Sequence, residues 1–352
     1  MSRTLVFACA LVVQITRFPR RRWHPSLLHH PFALLGVWDG RWYKLIAAGG
    51  YLFVPGRYSN PAFFPLLPIL ERAAHAIGVP YLLTGVVCAN LGFLAGLLAL
   101  YELGSELLPE SDARRAALYA AVFPAGYVFS MAYPEGIAFP LVALAGLFAV
   151  RDRSLAAAIC AAGATLARPE GIFLVLPLAA IAIRRWPSLA TSGRSRAVAA
   201  VLAAPAALAS FSAYLAWQLG DPLAWSKAER AWGRSFAVTG PDRAVVQLLN
   251  ASHHHDGWLY RDAVSCLLYV GLLMVAYRAG IPRGWVLAGA GIVLMPLASG
   301  SFDSDARFGL LALPVFWGLA VLGRHAPVNA IVLIACPVLL AAATVTIQLR
   351  YP

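Results

Sequence analysis

A chain of 352 residues that is 60% hydrophobic and 12% charged excludes an ordinary soluble domain, in which about 25% of residues carry charge. The net charge of +12 does not point to nucleic acid, because the arginines sit mostly in short breaks between apolar runs, as cytoplasmic membrane loops require. Composition predicts an all-α, polytopic transmembrane helical bundle. No Ser/Gly-rich or charged linker separates modules, so residues 1–352 read as one integral-membrane domain.

A spanning helix needs about 20 apolar residues. Runs of that character begin with residues 3–17, where Met1-Ser2-Arg3 and the following apolar stretch have the outline of a signal peptide lacking a small-residue cleavage site; this reads as a first helix. The remaining runs are 80–108, 114–132, 135–150, 154–168, 171–185, 197–217, 262–279, 284–300, 307–323 and 327–347, which predicts about eleven spans. Two long polar breaks, 18–79 and 218–261, are the expected larger extracytoplasmic loops with short interfacial helices. Arg114 and Arg115, Arg151 and Arg153, Arg184 and Arg185, Arg194 and Arg196, Arg278 and Arg283, then Arg324 occupy alternate loops and define a cytoplasmic face. Most carboxylates, including Asp39, Glu135, Glu170, Asp221, Glu229, Asp303 and Asp305, fall in the complementary loops. Arg17, Arg20, Arg21 and Arg22 break the pattern, unless they meet lipid headgroup phosphates outside.

The stretch Trp38-Asp39-Gly40-Arg41-Trp42-Tyr43-Lys44, with Gly49-Gly50-Tyr51 beyond it, places a carboxylate, two cations, two indoles and phenols between very apolar segments. A membrane protein keeps its chemistry in such an island, and an aromatic interfacial belt is the plainer reading. Asp39 is the candidate catalytic residue, as a base for an attacking hydroxyl. Gly40 suits a tight turn, with a short headgroup-level helix after it. Arg168, Arg307, Arg41 and Lys44 are the cations on the same face that can hold a phosphate, Arg with a bidentate grip. Simple ion pairs, Arg168 with Glu170 and Arg307 with Asp303 or Asp305, compete with that role. Glu135 and Glu170 follow Pro134 and Pro169 at hairpin corners, where a carboxylate meets the positive end of a helix.

Three prolines between Asn60 and Glu71 forbid a regular span there and predict a membrane-surface segment. In the second long loop Trp225, Glu229 and Trp232 share one helical face, fit either to stack on a sugar or to lie in headgroups. His253-His254-His255-Asp256 lacks a second ligand pair at helical spacing and is not read as a metal site. Cys9, Cys88, Cys160, Cys266 and Cys336 lie singly in apolar runs and read as small core residues.

On these residues the chain resembles the PIG-V family of integral-membrane mannosyltransferases, the family of the second mannosyltransferase of GPI-anchor synthesis and its bacterial relatives. The resemblance rests on Trp38-Asp39-Gly40 with Trp42-Tyr43, Ile46-Ala47 and Gly50-Tyr51, and on Phe63-Phe64-Pro65-Leu66-Leu67-Pro68. It continues through Glu135, Ala167-Arg168 with Gly171, Gly220-Asp221-Pro222-Leu223, Arg230-Ala231-Trp232-Gly233-Arg234, and Arg307-Phe308. It implies a GT-C glycosyltransferase that uses a polyprenyl-phosphate-linked sugar, mannose in the family, on the outer membrane face, with Asp39 as base. Departures are a short first helix, Pro169-Glu170 where eukaryotic members look more like Ser-Asn, and Phe308 where Tyr is common.

The expected reaction is an inverting hexose transfer to a lipid or glycan acceptor, with Trp38, Trp42, Tyr43, Glu135, Glu170, Trp225 and Trp232 as substrate-binding candidates. The lipid-linked sugar is a substrate, so no cofactor is expected; no metal ligands are named, and a divalent-metal requirement stays open. The partners implied are this donor, the acceptor and membrane lipids of a bacterial plasma membrane. The rivals are a lipid-linked sugar transporter or flippase, and a noncatalytic subunit that stabilises a transferase as its membrane-protein partner.

Overall fold

The computed structural model describes residues 2–17, 33–251 and 257–350. Arg20, Arg21 and Arg22 and the run His253 to Asp256 lie outside the described residues. Helices account for nearly all regular structure, and no strand occurs among the described residues. Sixteen α-helices follow one another in the described chain: α1 Ser2–Arg17, α2 Asp39–Gly49, α3 Leu66–His75, α4 Tyr81–Ser105, α5 Glu110–Val122, α6 Glu135–Val150, α7 Ser154–Ala167, α8 Val175–Arg185, α9 Thr191–Leu219, α10 Ala224–Ala228, α11 Gly240–Asn250, α12 Gly257–Arg278, α13 Arg283–Ser299, α14 Asp305–Phe308, α15 Leu313–Leu322 and α16 Ala326–Leu349.

The protein is a multi-pass membrane protein. Five helical segments are long and apolar enough to cross a bilayer, at 81–105, 169–188, 191–219, 257–278 and 326–349, and the number reaches seven if each of two bent pairs is one span. Those pairs are Pro124–Ser130 with α6, bent by 101°, and Asp305–Leu311 with α15, bent by 89°. The expectation of about eleven spans is corrected accordingly. The runs 3–17, 154–168 and 284–300 do form apolar helices, Ser2–Thr16, α7 and α13, of 10–17 residues each, whereas the run 114–132 breaks at Pro124.

Small residues let the bundle close around the site. On α4, Gly85, Ala89, Gly92 and Gly96 share a face, and α6 packs along it. A Cβ at Gly92 would collide with the Gly136 carbonyl, and one at Gly136 with the Ala89 backbone. Such backbone-to-backbone approach is how transmembrane helices gain van der Waals contact without a hydrophobic drive between them. It also fixes the start of α6, and therefore Glu135. Gly171 does the same for the next corner, because its Cα lies against Ala164 and Thr165 of α7, which seats Glu170 beside Arg168. Helix α7 in turn packs along α6 and α9.

The predicted surface segment is a 3-10 turn, Asn60–Ala62, followed by α3. Its Phe64 and Leu67 are buried, and they join Tyr43, Tyr51 and Phe211 in a satellite core separate from the main one. All five cysteines are free.

Candidate active site

Helix α2 begins on Asp39 itself, preceded by Trp38 at φ +56°. The left-handed turn was expected at Gly40, yet the structure puts it on the indole residue and makes Gly40 helical. Gly40 serves by smallness instead, since a Cβ there would come within 3.3 Å of the Ala132 carbonyl. A bulky residue at positive φ is strained and persists only where surroundings hold it. Here the Trp38 indole donates to the Ile347 carbonyl at 2.9 Å. Ser304, at φ +68°, precedes α14 in the same way. Of the three positive-φ residues other than glycine among those described, these two line one cavity, and each introduces the helix that carries a charged side chain into it.

That cavity has a volume of about 670 Å³ and opens among the long loops. Its wall includes Trp38, Asp39, Tyr43, Arg168, Glu170, Trp225, Glu229 and Trp232, together with Arg234, Arg307 and Phe308. Asp39 Oδ2 lies 2.6 Å from Arg307 Nη1, whose distance to Glu135 Oε1 is 3.7 Å. Arg168 donates from Nη1 to Glu135 Oε1 at 2.6 Å and grips Glu170 through Nη2 and Nε at 2.6 and 3.0 Å. Charges thus alternate along Asp39, Arg307, Glu135, Arg168 and Glu170. Glu135 is fully buried behind the wall and Glu170 almost so. Charges taken out of water need such partners.

Phe308 is the pivot. The guanidiniums of Arg168, Arg307 and Arg234 stand 4.4, 4.9 and 5.3 Å from its ring centroid. Arg234 also binds Glu229 at 3.2 Å and Asp303 at 3.1 Å, which ties the second long loop to the segment before α14. Three buried polar atoms around this centre, Arg307 Nε, Arg234 Nε and Glu135 Oε2, have no hydrogen-bond partner. Buried polar groups are ordinarily satisfied, so these three are exceptions clustered at one wall of the cavity.

Not every candidate converges. Arg41 and Lys44 are exposed on α2 and do not line the cavity. Trp42 stacks on Phe63 at 5.6 Å and meets Trp232 edge-on at 5.9 Å, and it supports the wall from behind. Arg307 pairs with Asp39, while Asp303 takes Arg234 and both oxygens of Asp305 stay buried without a partner. Tyr43 is buried against Phe63, and desolvation raises its phenol well above the ordinary value. Sequence reasoning missed Tyr133, whose hydroxyl accepts from the Asp39 amide at 3.3 Å, and the basic wall of Arg261 and Arg350, both set against Trp258. In sequence Arg234 stands only within the run Arg230-Ala231-Trp232-Gly233-Arg234, with no partner beside it to give it a role. Among the described residues no three His, Cys, Asp or Glu side chains are grouped to hold a metal ion.

No family model and no curated protein matches the chain. Solved structures do. The apo oligosaccharyltransferase of Archaeoglobus fulgidus superposes with a TM-score of 0.53 and 16% identity, over 97% of this chain and 56% of that one. The same enzyme tethered by a disulfide bond to an acceptor peptide containing the NVT sequon gives 0.45 and 14%, over 97% and 55%. The protein has a GT-C-type fold. It spans a little over half the length of the archaeal chain. In this GT-C-type bundle the cavity lies at the end where the two long loops meet, opposite the arginine-rich hairpins.

Proposed function

We propose that the protein is a GT-C glycosyltransferase that moves a hexose, mannose by its resemblance to the PIG-V family, from a polyprenyl-phosphate donor to a hydroxyl of a lipid or glycan acceptor. The observation that carries this reading is the Asp39–Arg307 pair, a carboxylate and a guanidinium 2.6 Å apart on the wall of a cavity of about 670 Å³. A base and a phosphate-binding cation side by side are the two groups an inverting displacement needs. Asp39 takes the acceptor proton, the acceptor oxygen attacks the anomeric carbon from the opposite side, and the polyprenyl phosphate departs toward Arg307. Arg234, across Phe308, is the second phosphate-facing cation. Arg168, with its hydrogen bonds spent on Glu135 and Glu170, positions the acids. The indoles of Trp38, Trp225 and Trp232 offer flat apolar faces to sugar rings. On this reading the cavity faces the extracytoplasmic side of a bacterial plasma membrane, which the arginine-rich loops at the other end of the bundle support.

The test is incubation of purified protein in liposomes with radiolabelled polyprenyl-phosphate mannose and a membrane lipid extract. A new labelled glycolipid or glycan is expected from the wild type and none from Asp39→Asn. Movement of intact donor across the bilayer without product would overturn the reading in favour of transport.

A further inference from the structure

Two arginines flank Phe308 at nearly the same distance and are held in opposite ways. Arg168 makes three hydrogen bonds to two fully or almost fully buried carboxylates. Arg307 is retained by a single short ion pair, to Asp39. Its Nη1 reaches Glu135 only at 3.7 Å, and its Nε is buried without a partner. The guanidinium otherwise lies over rings, 5.4 Å from the Tyr133 centroid and 4.9 Å from that of Phe308, surfaces on which a flat cation can slide. Asp39 in turn has no other cation within salt-bridge reach among the described residues. As it stands, the carboxylate that must accept a proton is occupied by Arg307. An acceptor hydroxyl can reach Asp39 Oδ2 only once the guanidinium has moved off it.

Resting on the transfer reading above, we infer that Arg307 is an exchangeable latch: donor phosphate draws it off Asp39, so the donor binds before the acceptor and arms the base. The charge balance of the transfer follows the same exchange. The acceptor O–H proton goes to Asp39, and the oxygen's electron pair forms the bond to the anomeric carbon. The bond from that carbon to the phosphate oxygen breaks, leaving its pair on the phosphate. One negative charge therefore disappears at Asp39 while one appears on the phosphate. Arg307, seated between them, follows that charge, and Arg168 stays fixed and keeps Glu135 in place.

The latch makes a prediction that a plain phosphate-binding arginine does not: removing the Asp39 charge strengthens phosphate binding, because Arg307 no longer has to leave a partner. The probe is polyprenyl phosphate, titrated by tryptophan fluorescence into detergent-purified wild type, Asp39→Asn, Asp39→Ala, Arg307→Gln and the Asp39→Asn/Arg307→Gln double variant. Either Asp39 variant that retains a monodisperse folded form is expected to bind about tenfold more tightly than the wild type, which corresponds to about 1.4 kcal/mol. Arg307→Gln binds more weakly, and the double variant shows no gain over Arg307→Gln. Unchanged or weaker binding by both Asp39 variants, with the wild type still binding, overturns the latch and leaves the transferase reading standing. Absence of polyprenyl phosphate binding by the wild type overturns the transferase reading itself.

Discussion

At the arginine-rich end of the bundle Arg151 bridges Glu102 and Glu106 at 2.6 and 3.1 Å, with all three side chains 36–46% exposed. At the cavity end Arg168 bridges Glu135 and Glu170 at 2.6 Å, with the cation 8% exposed and both acids at zero. Geometry and residue types are nearly the same, and the surroundings differ. An exposed pair is screened and contributes about 0–1 kcal/mol. A buried one contributes little net stability when intact, yet removing one partner strands a desolvated charge at about 3–5 kcal/mol. The first arrangement suits a solvated end of the bundle that carries no cavity. The second holds acids and cations rigid beside a cavity, which chemistry needs and stability alone does not.

The largest effect separating the two ends is catalytic. Asp39→Asn should lower transfer by about 10²–10⁴-fold, the usual contribution of a general base, whereas Glu102→Gln and Glu106→Gln should leave the rate within about twofold. A radiolabelled product assay decides it, and comparable losses at both ends would erase the distinction. Next comes stability. Arg168→Ala should cost about 3–5 kcal/mol and Arg151→Ala about 0–1 kcal/mol, read as a large and a negligible drop in apparent Tm. Equal drops would mean that burial does not govern these pairs.

Much of this contrast was legible in the sequence. The alternation of arginine-rich and acid-rich loops separates the two ends, and the Arg168-Pro169-Glu170 corner gives one ion pair directly, because two residues of separation leave the side chains little choice. The long-range pairs were not legible. Arg307 has Asp303 and Asp305 beside it in sequence, yet its ion pair is with Asp39, 268 residues away. Phe308 reads as an ordinary apolar residue until three guanidiniums are seen around it. Span number differs for a related reason: an apolar run that bends sharply, as at Pro124–Ser130 before α6, has the same hydropathy as one that continues straight.

Two smaller effects sharpen the comparison through pH. Glu71 of α3 is fully buried with neither oxygen hydrogen-bonded, and burial pushes its carboxyl from the ordinary 4.5 up to about 8. The unfolded chain releases this proton near the ordinary value while the folded chain retains it, so stability falls as pH rises across that window. Glu71→Gln should flatten the decline in apparent Tm between pH 5 and 8; an unchanged slope would place the cause elsewhere. Asp112, at the arginine end, behaves in the opposite sense. Its burial would raise the carboxyl pKa, but hydrogen bonds from Arg324 and Arg115 outweigh that and lower it. The bonds contribute fully above the ordinary carboxylate pKa and are lost as pH falls through the lower folded value. Asp112→Asn should therefore be less stable than wild type at neutral pH, with the gap closing in acid; a gap that persists there would argue against linkage.

On the proposed mechanism a lipid-linked donor places its phosphate at Arg307 and its sugar at Asp39. A cryo-EM structure of the Asp39→Asn protein with polyprenyl-phosphate mannose in a nanodisc tests it most directly. Phosphate oxygens are expected within hydrogen-bonding distance of the Arg307 guanidinium, with the anomeric carbon facing residue 39. Donor density at the Arg151 end, or a phosphate held away from Arg307 with the sugar outside the cavity, would contradict it.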